Sequence, residues 1–239
     1  DIAESRGVTL SGWQELVMDL EDHVYEPLKK HLYSVHFWYS GPGQEEYPYA
    51  YANDGVPSIL SNMTNTYVDF AYTPDKTERG LSWGGFVDER RSFSLLPYDV
   101  YRSVRWDDKG RMRDIAHLPD GKTELKAKEN IVGVQAQLWT ETVRNFDHVT
   151  YYIFPKVCGV FERDWNASPE WEGTLQEDDT AWTGYPFQVN AYVAHEKITL
   201  LKSEWTLVLE QGDAVVHVHI PPTGKLLPEL IDETLDETK

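Results

Sequence analysis

The stretch from Ile131 to Trp165, IVGVQAQLWTETVRNFDHVTYYIFPKVCGVFERDW, decides the fold class of this chain. It opens with an apolar run, Ile131 to Leu138, which predicts a short strand. Apolar residues then recur at helical spacing, which predicts a helix; they are Tyr151, Phe154, Val157, Val160 and Phe161. A strand followed by a helix is one βα unit, and the tripeptide Trp139-Thr140-Glu141 stands between the two.

This tripeptide is a candidate binding element. In βα barrels the residues at the carboxyl ends of the strands form the site. Trp139 offers a flat apolar face and Glu141 offers a hydrogen-bond acceptor. A sugar has apolar C–H faces and a rim of hydroxyls, so this pair suits a carbohydrate. The structural alternative places Trp139 in the core and Glu141 at a solvated start of the helix.

Two earlier segments also predict strands that end in tryptophan. Val8 to Trp13 alternates and ends in Gly-Trp, and Ser34 to Ser40 is aromatic and β-prone with Trp38 near its end. The segment between them, Gln14 to Leu32, is expected to be helical in part, with Pro27 breaking any continuous helix. The order of strands and helical segments indicates a parallel α/β sheet.

The segment from Val56 to Phe70 predicts a strand, a polar loop and a second extended piece. Side chains alternate along an extended backbone, so Tyr67 and Asp69 are expected on one face. The alternative is a buried Tyr beside a capping Asp. Thr73 to Pro97 predicts a long irregular loop that carries Trp83 beside two glycines, and loops of this length are often functional.

Composition narrows the range of partners. The chain has 239 residues, enough for one large domain or a domain with an appendage, and a formal net charge of -18. Such acidity argues against nucleic acid and against docking on an anionic lipid surface. Cys158 is the single cysteine and is expected to be a buried, inert thiol. No apolar stretch is long enough to predict a membrane span.

Taken together, these segments resemble glycoside hydrolase family 20, the β-N-acetylhexosaminidases and chitobiases. In that family, a strand ending in Leu-Trp-(Ser/Thr)-Glu precedes a helix reading roughly Tyr-x-x-x-Pro-(Arg/Lys)-x-x-x-x-x-Glu-Arg-x-Trp. The matching residues here are Leu138, Trp139, Thr140, Glu141, Tyr151, Pro155, Lys156, Glu162, Arg163 and Trp165. The Tyr67-Val68-Asp69 segment is similar to the family's Tyr-(Leu/Met)-Asp, and Glu78-Arg79-Gly80 with Trp83 is similar to a run in its chitobiase branch.

The resemblance implies roles for these residues. Three tryptophans, Trp13, Trp38 and Trp139, would form an aromatic box around the acetamido methyl of the sugar. Tyr67 would be catalytic, holding the acetamido oxygen while it attacks the anomeric carbon in a substrate-assisted, retaining reaction. Hydroxyls of the terminal sugar would bind Asp69 and Glu141, and Trp83 would stack on the next sugar. No cofactor is implied.

The resemblance also implies that the chain holds part of a catalytic domain. Residues 1–166 would form the carboxyl-terminal half of a TIM (β/α)8 barrel, and residues 167–239 a small mixed or β-rich extension. The family's catalytic Asp-Glu pair lies in a His-x-Gly-Gly-Asp-Glu motif that does not occur in this sequence. The chain alone is therefore expected to be inactive, with the amino-terminal half of the barrel supplied by the same precursor or by a partner chain.

Other functions stay open at this stage. A sugar-binding remnant without chemistry is the alternative to a glycosidase. The preference between N-acetylglucosamine and N-acetylgalactosamine ends is not fixed by the sequence. The alternating pair His217 and His219 has a zinc-like spacing but no third ligand, so no metal site is predicted. Relatives of this kind are usually exported, which implies an extracytoplasmic location.

Overall fold

A computed structural model describes residues 2–41, 43–103, 122–154 and 156–168 of the chain. Within these ranges the four strands are β1 (Leu10–Trp13), β2 (Leu32–Phe37), β3 (Ser58–Leu60) and β4 (Ile131–Val134). The α-helices in the same ranges are α1 (Ile2–Ser5), α2 (Asp22–Lys29), α3 (Tyr47–Asn53), α4 (Met63–Thr66), α5 (Glu89–Phe93), α6 (Val100–Ser103), α7 (Phe146–Ile153) and α8 (Lys156–Trp165).

The four strands form one parallel sheet in the order β1-β2-β3-β4. This arrangement confirms the predicted parallel α/β sheet. Trp13 lies opposite His36 at the ends of the first pair, and Phe37 lies opposite Leu60 in the second. Since all strands run the same way, the residues that follow them gather at one edge of the sheet.

The helices cover one face of the sheet. Val35 and Phe37 of β2 pack with Val17 and Val56 in one apolar cluster. Leu60 of β3 packs with Tyr49 of α3 and with Val100 and Tyr101 of α6. Side chains alternate along a strand, so His36 and its partner Ile59 point to the opposite face, where both are only half-buried.

The predicted helix after Trp139 is two helices. Phe154, at the end of α7, has an extended backbone (φ -102, ψ 132). It precedes a proline, and the proline ring disfavours the helical conformation for the residue before it. Helix α8 then buries Cys158, as predicted. The strand of this unit is also shorter than predicted and ends at Val134, although Gln137 makes one more bridge, to Tyr67.

Three other expectations need correction. Pro27 lies inside α2 and does not break it; the bond it removes belongs to the carbonyl of His23, an exposed residue that water can reach. The region from Thr73 to Pro97 contains α5 and is not wholly irregular. The sequence from Tyr98 to Asn130 is charged and punctuated by glycines, which predicts a solvated excursion, but Val100 and Tyr101 of α6 are buried.

The polar loop predicted between β3 and Tyr67 is also helical, forming the buried turn α4. Residues 169–239, including His217 and His219, lie outside the described residues. Among the helices in the described ranges, none has the length and hydropathy needed to cross a membrane.

Candidate functional site

Four aromatic side chains meet at the carboxyl edge of the sheet. Trp13 ends β1, Trp38 follows β2, and Trp139 follows β4. The ring centroids of Trp13 and Trp139 are 5.8 Å apart, and those of Tyr67 and Trp139 are 6.1 Å apart. Trp38 lies nearly parallel to Tyr67, with centroids 6.5 Å apart and planes at 21°. Residues from four separate segments thus form one aromatic wall.

This wall bounds a cavity of about 300 Å³. The residues that line it are Trp13, Glu15, Trp38, Tyr67, Asp69, Leu81, Trp83, Trp139 and Glu141. The structure therefore brings all seven site residues predicted from the sequence to one place. A cavity of this size with a mainly aromatic lining and a few carboxylates has the character of a small-molecule site.

Trp83 reaches the wall from the loop that follows Asp69. Its indole lies edge-on to Trp38 and to Tyr67, at 6.2 Å in each case, and 5.0 Å from the ring of Phe70. Half of its surface is exposed (50%). Trp83 is thus held by ring contacts on one side and leaves a broad apolar face open to solvent at the mouth of the cavity.

Two residues that sequence reasoning left without a role fix the position of Trp38. The buried amide oxygen of Gln14 accepts hydrogen bonds from the backbone N–H groups of Trp38 (2.9 Å) and Tyr39 (3.0 Å). The indole N–H of Trp38 donates to Glu15 Oε1 at 2.7 Å. The only signal in the sequence is that both residues follow directly after a tryptophan at the end of a strand. Leu81 also lines the cavity and was not predicted, because nothing in the sequence distinguishes it from other leucines.

Asp69 is the buried carboxylate of the site, with 1% of its surface exposed. Neither of its oxygens has a hydrogen-bond partner of ordinary geometry among the described residues. Burial raises the pKa of Asp69 to about 6; the backbone N–H groups of Trp139 and Asp69 and the ammonium of Lys156 offset part of that effect. Near neutral pH Asp69 is thus an ionised acceptor with free lone pairs.

Tyr67 is the buried phenol of the site. Burial raises the pKa of Tyr67 above its ordinary value, and the nearby negative charges of Asp69 and Glu15 act in the same direction. The phenol is therefore neutral and able to donate a hydrogen bond. A neutral donor beside an unpartnered acceptor can bind a ligand that offers both a carbonyl and hydroxyl groups.

Glu141 is the exposed carboxylate of the cavity lining, whereas Asp69 is the buried one. Its backbone oxygen accepts a hydrogen bond from Arg144 Nη1 at 3.0 Å. Arg79 Nη1 contacts His148 Nε2 at 2.5 Å. The hydroxyl of Tyr151 donates to Glu78. These contacts tie the Trp83 loop to the segment that carries Glu141.

Comparison with known proteins points to one family. The family model "Glycosyl hydrolase family 20, catalytic domain" matches residues 1–168. A β-hexosaminidase of Vibrio vulnificus is 26% identical over 209 residues, which are 85% of this chain and 24% of that protein. The N,N'-diacetylchitobiase of Vibrio harveyi is 32% identical over 152 residues, 62% of this chain and 16% of the chitobiase.

Solved structures show the same fold. A family 20 β-N-acetylhexosaminidase from Streptomyces coelicolor A3(2) superposes with a TM-score of 0.53 at 24% identity, over 94% of this chain and 35% of that one. A mutant Streptomyces plicatus β-hexosaminidase in complex with product (GlcNAc) gives a TM-score of 0.50 at 26% identity, over 84% and 33%.

The chain spans 24% of the length of the first of these relatives and 35% of the S. coelicolor chain. Its match to the family covers residues 1–168, well over half of its own length, and includes every described element from α1 to α8. The chain therefore belongs to glycosyl hydrolase family 20.

Proposed function

We propose that this protein removes terminal, non-reducing N-acetyl-β-hexosamine residues from chitobiose, chitooligosaccharides or related N-acetylhexosaminides. The observation that supports this function best is the aromatic cavity itself. Trp13, Trp38 and Trp139 line a space of about 300 Å³ together with a neutral phenol, Tyr67, and a carboxylate, Asp69, that has no hydrogen-bond partner within the described part of the chain. An acetamido sugar presents an apolar methyl, a carbonyl oxygen and several hydroxyls, which these groups complement.

In this proposal the box of tryptophans holds the acetamido methyl, and the Tyr67 hydroxyl donates a hydrogen bond to the acetamido oxygen. That oxygen then attacks the anomeric carbon of the same sugar, giving an oxazolinium ion and retention of configuration. Fixing the acetamido group in this position makes the attack intramolecular, which is where proximity lowers the barrier most. The neutral state of Tyr67 suits its role, since a phenolate would repel the oxygen.

The remaining groups would define which end of a chain is cleaved. Asp69 and Glu141 would accept hydrogen bonds from hydroxyls of the terminal sugar, which leaves no room for a further residue on that side. Trp83, half exposed at the mouth, would stack on the sugar that leaves. Ends of both N-acetylglucosamine and N-acetylgalactosamine are included among these substrates.

The acid that protonates the leaving oxygen must come from outside this sequence, which contains no His-x-Gly-Gly-Asp-Glu segment. We infer that residues 1–166 are the carboxyl-terminal half of a (β/α)8 barrel and that residues 167–239 extend it. The amino-terminal half would come from the same precursor or from a partner chain and would pair with the sheet edges at β1 and β4. An extracytoplasmic location goes with this proposal.

The same missing segment supports a second candidate, a protein that binds the sugar without cleaving it. The two functions are separated by measuring the mass of the native protein and then its activity on an aryl N-acetyl-β-glucosaminide. A mass above that of this chain, with activity, supports the glycosidase. A folded monomer of this chain that binds N-acetylglucosamine without hydrolysis would instead establish a binding protein. A protein that neither binds nor cleaves would refute both.

A further inference from the structure

Lys156, the first residue of α8, is fully buried and reaches the backbone next to the cavity. Its ammonium donates a hydrogen bond to the carbonyl oxygen of Val68 at 2.8 Å and another to that of Phe70. These two carbonyls flank Asp69 in the chain. A single buried cation thus holds both sides of the short segment that presents the Asp69 carboxylate.

The ammonium of Lys156 is itself held in place by aromatic rings. It lies 3.8 Å from the centroid of the Tyr72 ring and 5.9 Å from that of Tyr152. The Tyr72 hydroxyl donates to the carbonyl oxygens of Tyr151 (3.0 Å) and Phe154 (2.9 Å) at the end of α7. A buried ammonium is costly unless carbonyls or π faces replace its water. Around Lys156 both carbonyls and π faces replace that water.

The charge of Lys156 acts on Asp69. The carboxylate oxygens of Asp69 are buried and have no hydrogen-bond partner among the described residues. Among the described residues, the ionisable groups that act on Asp69 or line the cavity with it are Lys156 on α8, Glu141 after β4, Tyr67 and Glu15. Of these Lys156 alone is a cation, and it stabilises the ionised form that Glu141 destabilises.

We propose that Lys156 is a positioning residue for sugar binding: its hydrogen bonds fix the turn that carries Asp69, and its charge keeps Asp69 ionised to accept a sugar hydroxyl. This inference rests on the proposed function. The side chain of Lys156 thus has two separable effects, one through its hydrogen bonds and one through its charge. Geometry sets the affinity at every pH, whereas charge sets the pH at which the affinity is lost.

The test compares three variants for binding of N-acetylglucosamine by calorimetry between pH 4.5 and 8, in the native assembly. K156Q removes the charge and keeps an amide NH2 group as a donor. K156R keeps the charge, but its larger planar head should displace the two carbonyl contacts in a site that is fully buried around an ammonium. K126Q makes the same chemical change as K156Q at an exposed lysine and serves as the control.

In the wild-type protein, affinity should fall as the pH drops through about 6, where Asp69 becomes protonated. K156Q should raise that midpoint by about one pH unit, as expected for loss of a neighbouring opposite charge. K156R should bind roughly tenfold more weakly at all pH values with the midpoint unchanged. K126Q should behave as wild type.

Two results would overturn the inference while leaving the proposed function intact: wild-type affinity at every pH in K156R, or a wild-type midpoint in a folded K156Q. If K156Q does not fold, K156R decides the question alone, because it retains the charge. No binding by the wild-type protein at any pH would instead refute the proposed function.

Discussion

The ring centroids of Tyr67 and Trp139 lie 6.1 Å apart. The two residues are close because the backbone of Tyr67 pairs with that of Gln137, two residues before Trp139. Gln137 forms a parallel bridge with Tyr67, and its carbonyl accepts the N–H of Val68 at 2.9 Å. The Gln137 N–H donates to Thr66 O at 3.0 Å. The rings of Tyr67 and Trp139 are therefore held side by side by backbone pairing that continues past the ends of β3 and β4.

Replacing Trp139 by Ala should weaken binding of N-acetylglucosamine roughly 10- to 100-fold, because one wall of the aromatic box is lost. Trp139 is 40% exposed, so the free energy of unfolding should fall by no more than about 1 kcal/mol. Calorimetric titration and urea denaturation measure the two effects.

Trp165→Ala is the matched control, since Trp165 is 92% exposed and lies away from the cavity. It should change neither quantity. The opposite pattern for Trp139→Ala, a large loss of stability with unchanged affinity, would show that Trp139 is a core residue and would contradict its assignment to the site.

Glu141→Gln should lower the affinity for the sugar and leave stability almost unchanged, because the side chain is exposed. We expect a loss of about tenfold, the effect of replacing a charged acceptor by a neutral one. Glu129→Gln, an exposed glutamate remote from the cavity, provides the comparison. Equal affinities for the two variants would remove Glu141 from the site.

Glu15 should influence binding only through Trp38. Glu15→Ala removes the acceptor of the Trp38 indole N–H (2.7 Å), so the indole gains freedom and the affinity should fall several-fold. Glu15→Gln retains an acceptor oxygen and should restore most of the loss. If both variants bind equally weakly, the negative charge of Glu15 acts on the ligand directly.

Asp69 should lower the stability of the protein at neutral pH. Its pKa is about 6 in the folded state against an ordinary value of 3.8, so above pH 6 folding keeps a charge buried that the unfolded chain solvates. The stability that protonated Asp69 contributes is complete below about pH 4 and is lost as the pH rises through 6.

Asp69→Asn should therefore raise the free energy of unfolding by about 1–2 kcal/mol at pH 7.5, and the gain should vanish near pH 4. Denaturation at both values measures it. The same variant should bind the sugar more weakly. An equal gain in the free energy of unfolding at both pH values would show that the charge of the buried carboxylate does not destabilise the fold.

The sequence identified the residues that line the cavity better than it identified the bounds of the surrounding helices and strands. Trp13, Trp38 and Trp139 were identifiable because each stands at the end of a strand-like run, and parallel strands bring such ends together. Asp69 was expected beside Tyr67 because side chains alternate along an extended segment. Both residues do line the cavity, but Val68 and Asp69 form a turn that is closed by a hydrogen bond from the Phe70 N–H to the Tyr67 carbonyl. The role of Lys156 could not be predicted in the same way. Its ammonium contacts carbonyls that precede it by more than eighty residues in the chain, and nothing in the local sequence indicates such a contact.

The predicted bounds of helices and loops were wrong for similar reasons. Pro27 was expected to break a helix, but a missing hydrogen bond matters little where the carbonyl faces water. Val100 and Tyr101 lie in a charged stretch, yet they fill the core against Tyr49. Burial of this kind depends on partners that are distant in the chain, and the local composition does not reveal them.

Gly80→Ala should be the most damaging small substitution near the site. Gly80 has φ +111, and a Cβ there would lie 2.6 Å from the carbonyl oxygen of Asp69 and 2.7 Å from the N of Ala71, both backbone atoms that cannot rotate away. We expect a loss of about 2–4 kcal/mol in the free energy of unfolding and weaker sugar binding, because the Trp83 loop would be pushed off the Asp69 segment. Urea denaturation and calorimetry measure both.

Gly43→Ala is the matched comparison for this strain. Gly43 also has a positive φ, +86, but a Cβ there would meet nothing within 4 Å. Only the conformational penalty should remain, about 1 kcal/mol, with affinity unchanged. The difference between the two variants isolates the close packing of the loop on Asp69. If the two lose equal stability, backbone conformation alone explains both glycines, and the loop does not need that contact to keep Trp83 at the mouth of the cavity.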